Sequence, residues 1–341
     1  MVGEITQQNR YRTAAALLDH CAALAHLARA AARVEASAAP CAVALAGGRR
    51  LHAAKRVGLF AGSFNPLTRA HVAVANAARR SAGLDALVWV CAAVSVDKER
   101  VERAALVDRL AQMRAFVAGR RHDALVLLNR GLYVDEARLL RTLIPLSAQL
   151  HIVVGFDKIV QIFDPRYYDD RDAALRELFS LADILVSPRG SDGADALAEL
   201  LAQPENRPFA PHVRYLDVPP AFSTDSSTEA RAIAAQTPPD TAALERLLPP
   251  AGAALALHTR AYLLARPGHL AETDFYSIRE CWLAALATQP ERVTRMLPPL
   301  TSLVSQTQDK GARGRRLRAW LKATPHDAGA LLAVLGDQAS D

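Results

Sequence analysis

Apolar positions along this chain follow two rhythms, and the change between them marks its organisation. Over residues 1–50 the side chains Leu17, Leu18, Leu24, Leu27 and Ala31 recur at helical three- and four-residue spacings. A short apolar run at 41–46 follows, and Gly47-Gly48 breaks it. This part reads as a helical N-terminal extension that packs on the main domain. From Arg56 onward short apolar runs at 57–61, 87–94, 125–128, 151–154, 184–186 and 213–216 alternate with amphipathic stretches near 70–81, 102–118, 134–144, 170–181 and 192–202. Strands alternating with helices of this length predict right-handed βαβ crossovers and a parallel sheet. Several runs lack polar alternation, as strands covered on both faces do. The expected fold class is α/β, a doubly wound, mostly parallel sheet with helical N- and C-terminal extensions. Such sheets bind ligands beyond the carboxyl ends of their strands, so functional residues are expected after Ala61, Val94, Val154 and Leu216.

Beyond residue 235 the pattern is helical only. Arg266-Pro267-Gly268 reads as a linker, and 275–336 as several helices broken at Pro290, Pro298-Pro299 and Pro325. The expected boundaries are 1–50 for the N-terminal extension, 55–265 for the main domain and 270–341 for the C-terminal extension.

Composition narrows the class. With 51% hydrophobic and 22% charged residues over 341 positions, the chain can bury a sizeable core and is not globally disordered. No apolar run approaches the ~18 residues of a membrane span. Glu4 and Asp19 interrupt the Ala-rich start, unlike a secretory signal. Cys21, Cys41, Cys91 and Cys281 form no CxxC pair and fit no zinc spacing; they read as small buried hydrophobes in a reducing compartment. A cytoplasmic protein without a membrane partner is expected. Lys310, Arg313, Arg315, Arg316, Arg318 and Lys322 together equal the whole net charge of +6. Without a groove-reading motif or interleaved aromatics, this run reads as a solvated helix face rather than a nucleic-acid site.

The chemistry concentrates after the first run of the alternating region, in Gly62-Ser63-Phe64-Asn65-Pro66-Leu67-Thr68-Arg69-Ala70-His71. Gly62 lets the backbone turn and a ligand approach closely. Ser63 and Asn65 suit a tight loop, and Pro66 stiffens it. His71 falls in the first turn of the next helix, where free N–H groups and the positive dipole end favour phosphate. No Gly-Lys-Ser/Thr follows, so this is not a Walker A loop. A second such start is Ser226-Ser227-Thr228-Glu229-Ala230-Arg231. There Asp225 or Ser226 caps a helix, and Arg231 brings a guanidinium one turn later.

These two segments resemble the signatures of the nucleotidyltransferase superfamily. GSFNP followed by T-x-x-H is most similar to the nicotinamide mononucleotide adenylyltransferases of the eukaryotic-type branch. The resemblance spans about 55–265 and implies a Rossmann-like fold. It implies ATP contacts from Gly62, Ser63, Phe64, Thr68, His71, Ser226, Ser227, Thr228 and Arg231. Gly155 and Asp157 resemble the family's G-x-D segment, and Tyr168 stands where the family has a stacking tryptophan. Asn65, Tyr133 and Arg189 complete the implied mononucleotide site, with Lys98 between the two substrates. Lysine is scarce, five among 41 cations, and both Lys98 and Lys158 fall inside matching segments.

The implied reaction transfers AMP from ATP to nicotinamide (or nicotinate) mononucleotide in NAD biosynthesis, releasing pyrophosphate. His71, Lys98 and Arg231 are the implied catalytic residues. Mg²⁺ would be held mainly by ATP phosphates, with no protein metal site. Glu229 and Ala232 stand where the family commonly has cations. That departure keeps two alternatives in view: a non-enzymatic nucleotide sensor, and a sister nucleotidyltransferase acting on another phosphate monoester. The oligomeric state is left open, a homo-oligomer included.

Overall fold

The computed structural model of the chain describes residues 24–93, 104–188, 193–219, 226–236, 238–259 and 262. It divides into two compact units, one of Ala31–Ala254 and one of Met1–Ala30 with Leu255–Asp341. The sheet and the candidate site lie in the former. Of the latter, the described residues 24–30 and 255–259 are helical. The expected extension 270–341, with its basic run at 310–322, lies outside the described residues.

Seven strands form one Rossmann-like sheet: β1 (Ala42–Ala46), β2 (Arg56–Ala61), β3 (Ala86–Ala92), β4 (Asp123–Leu128), β5 (Gln149–Gly155), β6 (Asp183–Ser187) and β7 (Val213–Tyr215). Their order is β1-β4-β3-β2-β5-β6-β7. All pairings are parallel except β1 with β4. The chain runs outward from β2 through β3 to β4, then returns to β5 on the other side of β2. The topological switch therefore lies between β2 and β5, where such folds place ligands.

The helices are α1 (24–36), α2 (Arg69–Ala82), α3 (Leu106–Ala118), α4 (Tyr133–Arg141), α5 (Phe156–Phe163), α6 (Arg171–Leu181), α7 (Ala194–Ala202), α8 (Ser227–Ala234), α9 (Thr241–Leu247) and α10 (Pro250–Thr259). Val57, Leu59, Val88, Val90, Val126, Ile152 and Val154 point to one face, into a core with Leu140 of α4, Ile159 of α5 and Leu178 of α6. Phe60 and Trp89 point to the other face, where Phe116 of α3 meets the indole edge-on at 5.3 Å.

Two elements depart from the sequence expectation. The run at 41–46, assigned to the N-terminal extension, is strand β1 and pairs with β4 in the sheet. Its alternation is too short to separate it from a buried helix end. Asn129 fixes it: its Nδ2 donates to Ser37 O (2.7 Å) and Ala39 O (2.9 Å), and its Oδ1 accepts from Cys41 N (2.8 Å). The second departure is α5, which follows β5 without a loop. Phe156, Ile159, Ile162 and Phe163 are its buried stripe, a helical period that the G-x-D resemblance masks.

Asp123, the first residue of β4, ties this frame together. Its buried carboxylate accepts from Arg79, from Arg120 Nε (2.7 Å) and from the indole of Trp89 (3.0 Å). Cys91 is a small buried residue, as expected from the sequence, and burial pushes its thiol up to about 12, whereas Cys41 is half-buried. No described helix is long and apolar enough to cross a membrane.

His151 of β5 is 5% exposed, and neither ring nitrogen has a hydrogen-bond partner among the described residues. Burial pushes its pKa down; Asp183 opposes that shift, and Arg214 and Arg56 add to it. The folded chain therefore resists the proton that the unfolded chain accepts near pH ~6.5. This contribution to stability is present above that pH and is lost as pH falls below it. Urea unfolding at pH 8, 6 and 5 should show His151→Val losing less stability with acid than the wild type. Equal acid slopes would remove His151 from this role.

Candidate active site

The loop after β2 and the start of α8 come together although more than 150 residues separate them. Arg231 Nη1 donates to Asn65 O at 2.8 Å, and Ser227 Oγ donates to Pro66 O at 2.9 Å. Arg231 Nη2 also donates to Thr228 Oγ1 at 3.1 Å. Ser226 caps α8 by accepting from Glu229 N at 3.1 Å, and Thr68 caps α2. Two helix N-termini thus converge on one loop beside the switch between β2 and β5. Both present first-turn N–H groups, which have no partner within their own helices. The arrangement is suited to a polyphosphate.

His71 is the third residue of α2 and closes a capping box with Thr68. Its Nδ1 accepts from Thr68 N at 3.1 Å and lies 2.7 Å from Thr68 Oγ1. A nitrogen that accepts a backbone N–H is unprotonated, so Nε2 carries the proton and is the donor for a ligand. The ring also rests on aromatic neighbours, 5.5 Å from Phe64 and 6.1 Å from Phe60 between centroids. Its tautomer and its direction are both fixed before any ligand arrives.

Several residues expected to touch ligand lie beneath the surface instead. Thr68 is 0% exposed, Phe64 1% and Asn65 2%. Thr68 spends its hydroxyl on the cap. Phe64, at φ 42, turns its ring under the loop, 2.9 Å from where a Cβ on Gly62 would sit; only glycine allows that approach. Asn65 Oδ1 accepts from Ala104 N at 3.2 Å. Their part is to shape the loop, while Gly62, Ser63 and His71 form its accessible side.

Two further residues hold the loop from α3. Arg109 Nη1 donates to Ser63 O at 2.8 Å and its Nε to Ala104 O at 3.3 Å, while Gln112 Nε2 reaches Phe64 O at 3.5 Å. Gln112 was not singled out from sequence; Arg109 falls, with Asp108, in a segment that resembles the family stretch bringing a lysine to the substrate phosphate, but it was given no role of its own. The available signal was two polar residues on the helix face that also buries Leu110 and Met113.

At the ends of β4 and β5 the expected mononucleotide residues are partly assembled. Tyr133, the first residue of α4, is pushed far above the usual tyrosine range by burial, then by the charges of Glu136 and Asp157. Asp157 Oδ1 lies 2.9 Å from where a Cβ on Gly155 would be, which accounts for the glycine of that segment. Tyr168 is bound to its own segment, its hydroxyl donating to Ile162 O at 2.8 Å. Lys158 Nζ donates to Gln161 Oε1 at 2.9 Å. Lys98, Arg189 and Asp225 lie outside the described residues.

A convergent pair of helix N-termini on a Rossmann-like sheet, with a fixed histidine donor between them, defines the site class of a nucleotidyltransferase. Residues 59–233 match the family model described as Cytidylyltransferase-like. The protein named "Probable nicotinate-nucleotide adenylyltransferase" of Gloeobacter violaceus is 35% identical over 154 residues, which cover 43% of this chain and 71% of that one. The protein of the same name from Trichlorobacter lovleyi is 32% identical over 149 residues, covering 39% and 62%. The solved Plasmodium falciparum nicotinic acid mononucleotide adenylyltransferase complexed with APC aligns at 17% identity and TM-score 0.44, covering 61% of this chain and 97% of that one, a likeness too distant to carry a conclusion. The chain belongs to the cytidylyltransferase-like nucleotidyltransferases and, within them, to the nicotinate-nucleotide adenylyltransferase family.

Arg109→Ala leaves Ser63 O and Ala104 O without this donor. An unsatisfied buried group costs about 1–3 kcal/mol, so the melting temperature should fall and ATP binding should weaken about tenfold as the loop loosens. Arg109→Lys cannot span both carbonyls; it should recover melting temperature more than ATP affinity. Calorimetry on both variants checks this, and wild-type ATP affinity in Arg109→Ala would show that the loop stands without it.

Proposed function

We propose that this protein transfers the AMP of ATP to a pyridine mononucleotide, with release of pyrophosphate, as a step in NAD biosynthesis. The observation that carries the reading is the joining of the 62–71 loop to the start of α8 through Arg231 and Ser227. It makes one anion site from two helix N-termini, with His71 Nε2 and the Arg231 guanidinium as its side-chain donors. The relatives' printed names support a nicotinate mononucleotide as acceptor.

In this reading the 5′-phosphate of the mononucleotide attacks the α-phosphorus of ATP. A P–O bond forms there as the bond to the β-phosphate bridging oxygen breaks, and pyrophosphate leaves with the electron pair. The nucleophile is already an anion, so no general base is required. Rate comes from alignment and from donors aimed at the charge that develops. His71 Nε2 and Arg231 serve the triphosphate, and Lys98 neutralises charge between the substrates. Tyr133, Gly155, Asp157 and Arg189 hold the mononucleotide, with Tyr168 as the stacking partner of its ring.

The donors at this site are N–H groups and cations, which suit phosphate oxygens rather than a metal ion. Mg²⁺ would therefore enter bound to ATP and supply further charge neutralisation. Glu229, exposed in the first turn of α8, places a negative charge beside the phosphates and makes the reaction depend more heavily on Arg231.

A pyrophosphate-release assay with ATP and each mononucleotide tests the reading: turnover is expected with the nicotinate form, and none with either form would overturn it. His71→Ala should lower the rate about 10²–10³-fold, the scale of one lost transition-state donor. Its cost in stability should stay near the ~1 kcal/mol of a weakened helix cap. Near-normal turnover would remove His71 from the mechanism.

A further inference from the structure

One face of α2 borders a concave surface apart from the 62–68 loop. A groove of about 520 Å³ runs between α2 and the end of α3, closed by Pro219 and by Pro249–Ala251. That volume is in the range of pockets that hold small organic ligands. Arg69, Val72, Ala73, Asn76 and Arg80 line it from α2, at the spacing of one helix face. Among the described residues no carboxylate lines it, whereas three arginines do.

The three arginines are not equivalent. Arg120 lies 4.8 Å over the Phe116 ring and shares the Asp123 carboxylate with Arg79, so it is held in place and offers a flat stacking surface. Arg69 donates to a neutral acceptor, Glu245 O, at 3.1 and 3.3 Å. Arg80 is exposed and has no hydrogen-bond or ion-pair partner among the described residues. Asn76, one turn before it, likewise has none among them. The groove therefore joins an uncompensated cation and a polar amide at one end to an apolar, partly planar floor of Val72, Phe116 and prolines.

We propose that this groove is a second ligand site, and that it takes a nucleoside monophosphate or a phosphate ester of that build. The phosphate meets Arg80 and Asn76, and the planar body lies over Val72 and the Phe116–Arg120 stack. Inorganic phosphate alone would leave the apolar floor wet, and an uncharged aromatic would leave Arg80 unmatched. The site does not rest on the adenylyl-transfer reading: of its lining residues only Arg69 falls within the 62–71 segment, none belongs to α8, and neither His71 nor Arg231 lines it.

Calorimetric titration of the full chain with AMP, without mononucleotide and without Mg²⁺, tests it. One class of AMP binding should weaken at least tenfold in Arg80→Glu, the scale of one lost charge-assisted hydrogen bond, and persist in His71→Ala. Asn76→Asp, which sets a like charge beside the phosphate, should weaken the same class. Circular dichroism identifies a variant that has failed to fold, and Asn76→Asp then carries the test. No AMP binding to the wild type, or AMP binding unchanged in both groove variants, would overturn the proposal.

Discussion

Four consecutive peptide carbonyls, from Ser63 to Pro66, each accept a hydrogen bond from a distant side chain: Arg109, Gln112, Arg231 and Ser227. The rest of the site depends on this clamp. A loop of this length between strand and helix would ordinarily be mobile. Here it is held from α3 and from α8, and the clamp sets where α2 begins and how α8 approaches. The anion site is therefore a product of the completed domain. The clamp's donors come from positions 109, 112, 227 and 231, so the site forms only once those long-range contacts close. Rigidity of this kind is what lets fixed dipoles act on a developing charge without reorganising.

Beneath the clamp runs a series of rings. Phe116 meets Trp89 at 5.3 Å, Trp89 meets Phe60 and Phe64 at 5.3 and 5.4 Å, and both phenyl rings flank His71. The indole is anchored in turn, since its N–H donates to Asp123. A polar knot at the start of β4 is thus tied through packed aromatics to the imidazole of His71. Each ring buries apolar area and also limits the rotamers of the next.

Much of the fold was legible because its signals are periodic and local. The run at 57–61 became the central strand β2, and 184–186 became β6 with one residue added at each end. The helix expected at 70–81 spans Arg69–Ala82, with Thr68 as its cap and Gly83 in the left-handed conformation at its end. The site signatures were legible for the same reason, since caps and tight loops demand particular residues at fixed offsets. What escaped was non-local. The run at 41–46 is a strand only because β4 is there to pair with it. Arg109 and Gln112 matter only because the loop's carbonyls face them. The burial of Thr68, Phe64 and Asn65 could not be read from a loop sequence that is mostly short and polar around a single ring. Tyr168, placed by resemblance beside the mononucleotide, has its hydroxyl engaged by Ile162 O, a bond that spacing alone does not foretell.

Strand β1 has a consequence of a different kind. It pairs with β4 along Ala42–Ala46, with an irregularity between Ala44 and Ala46, and β4 is buried along its whole length. Without β1, β4 would be the outermost strand. A row of bare amides and carbonyls flanked by Leu125, Leu127 and Leu128 would then be open to any passing strand. Such an edge is a template for self-association. Five residues outside the alternating strand–helix pattern therefore keep an apolar sheet from recruiting other chains, and the irregularity within them makes their own outer side a poor template.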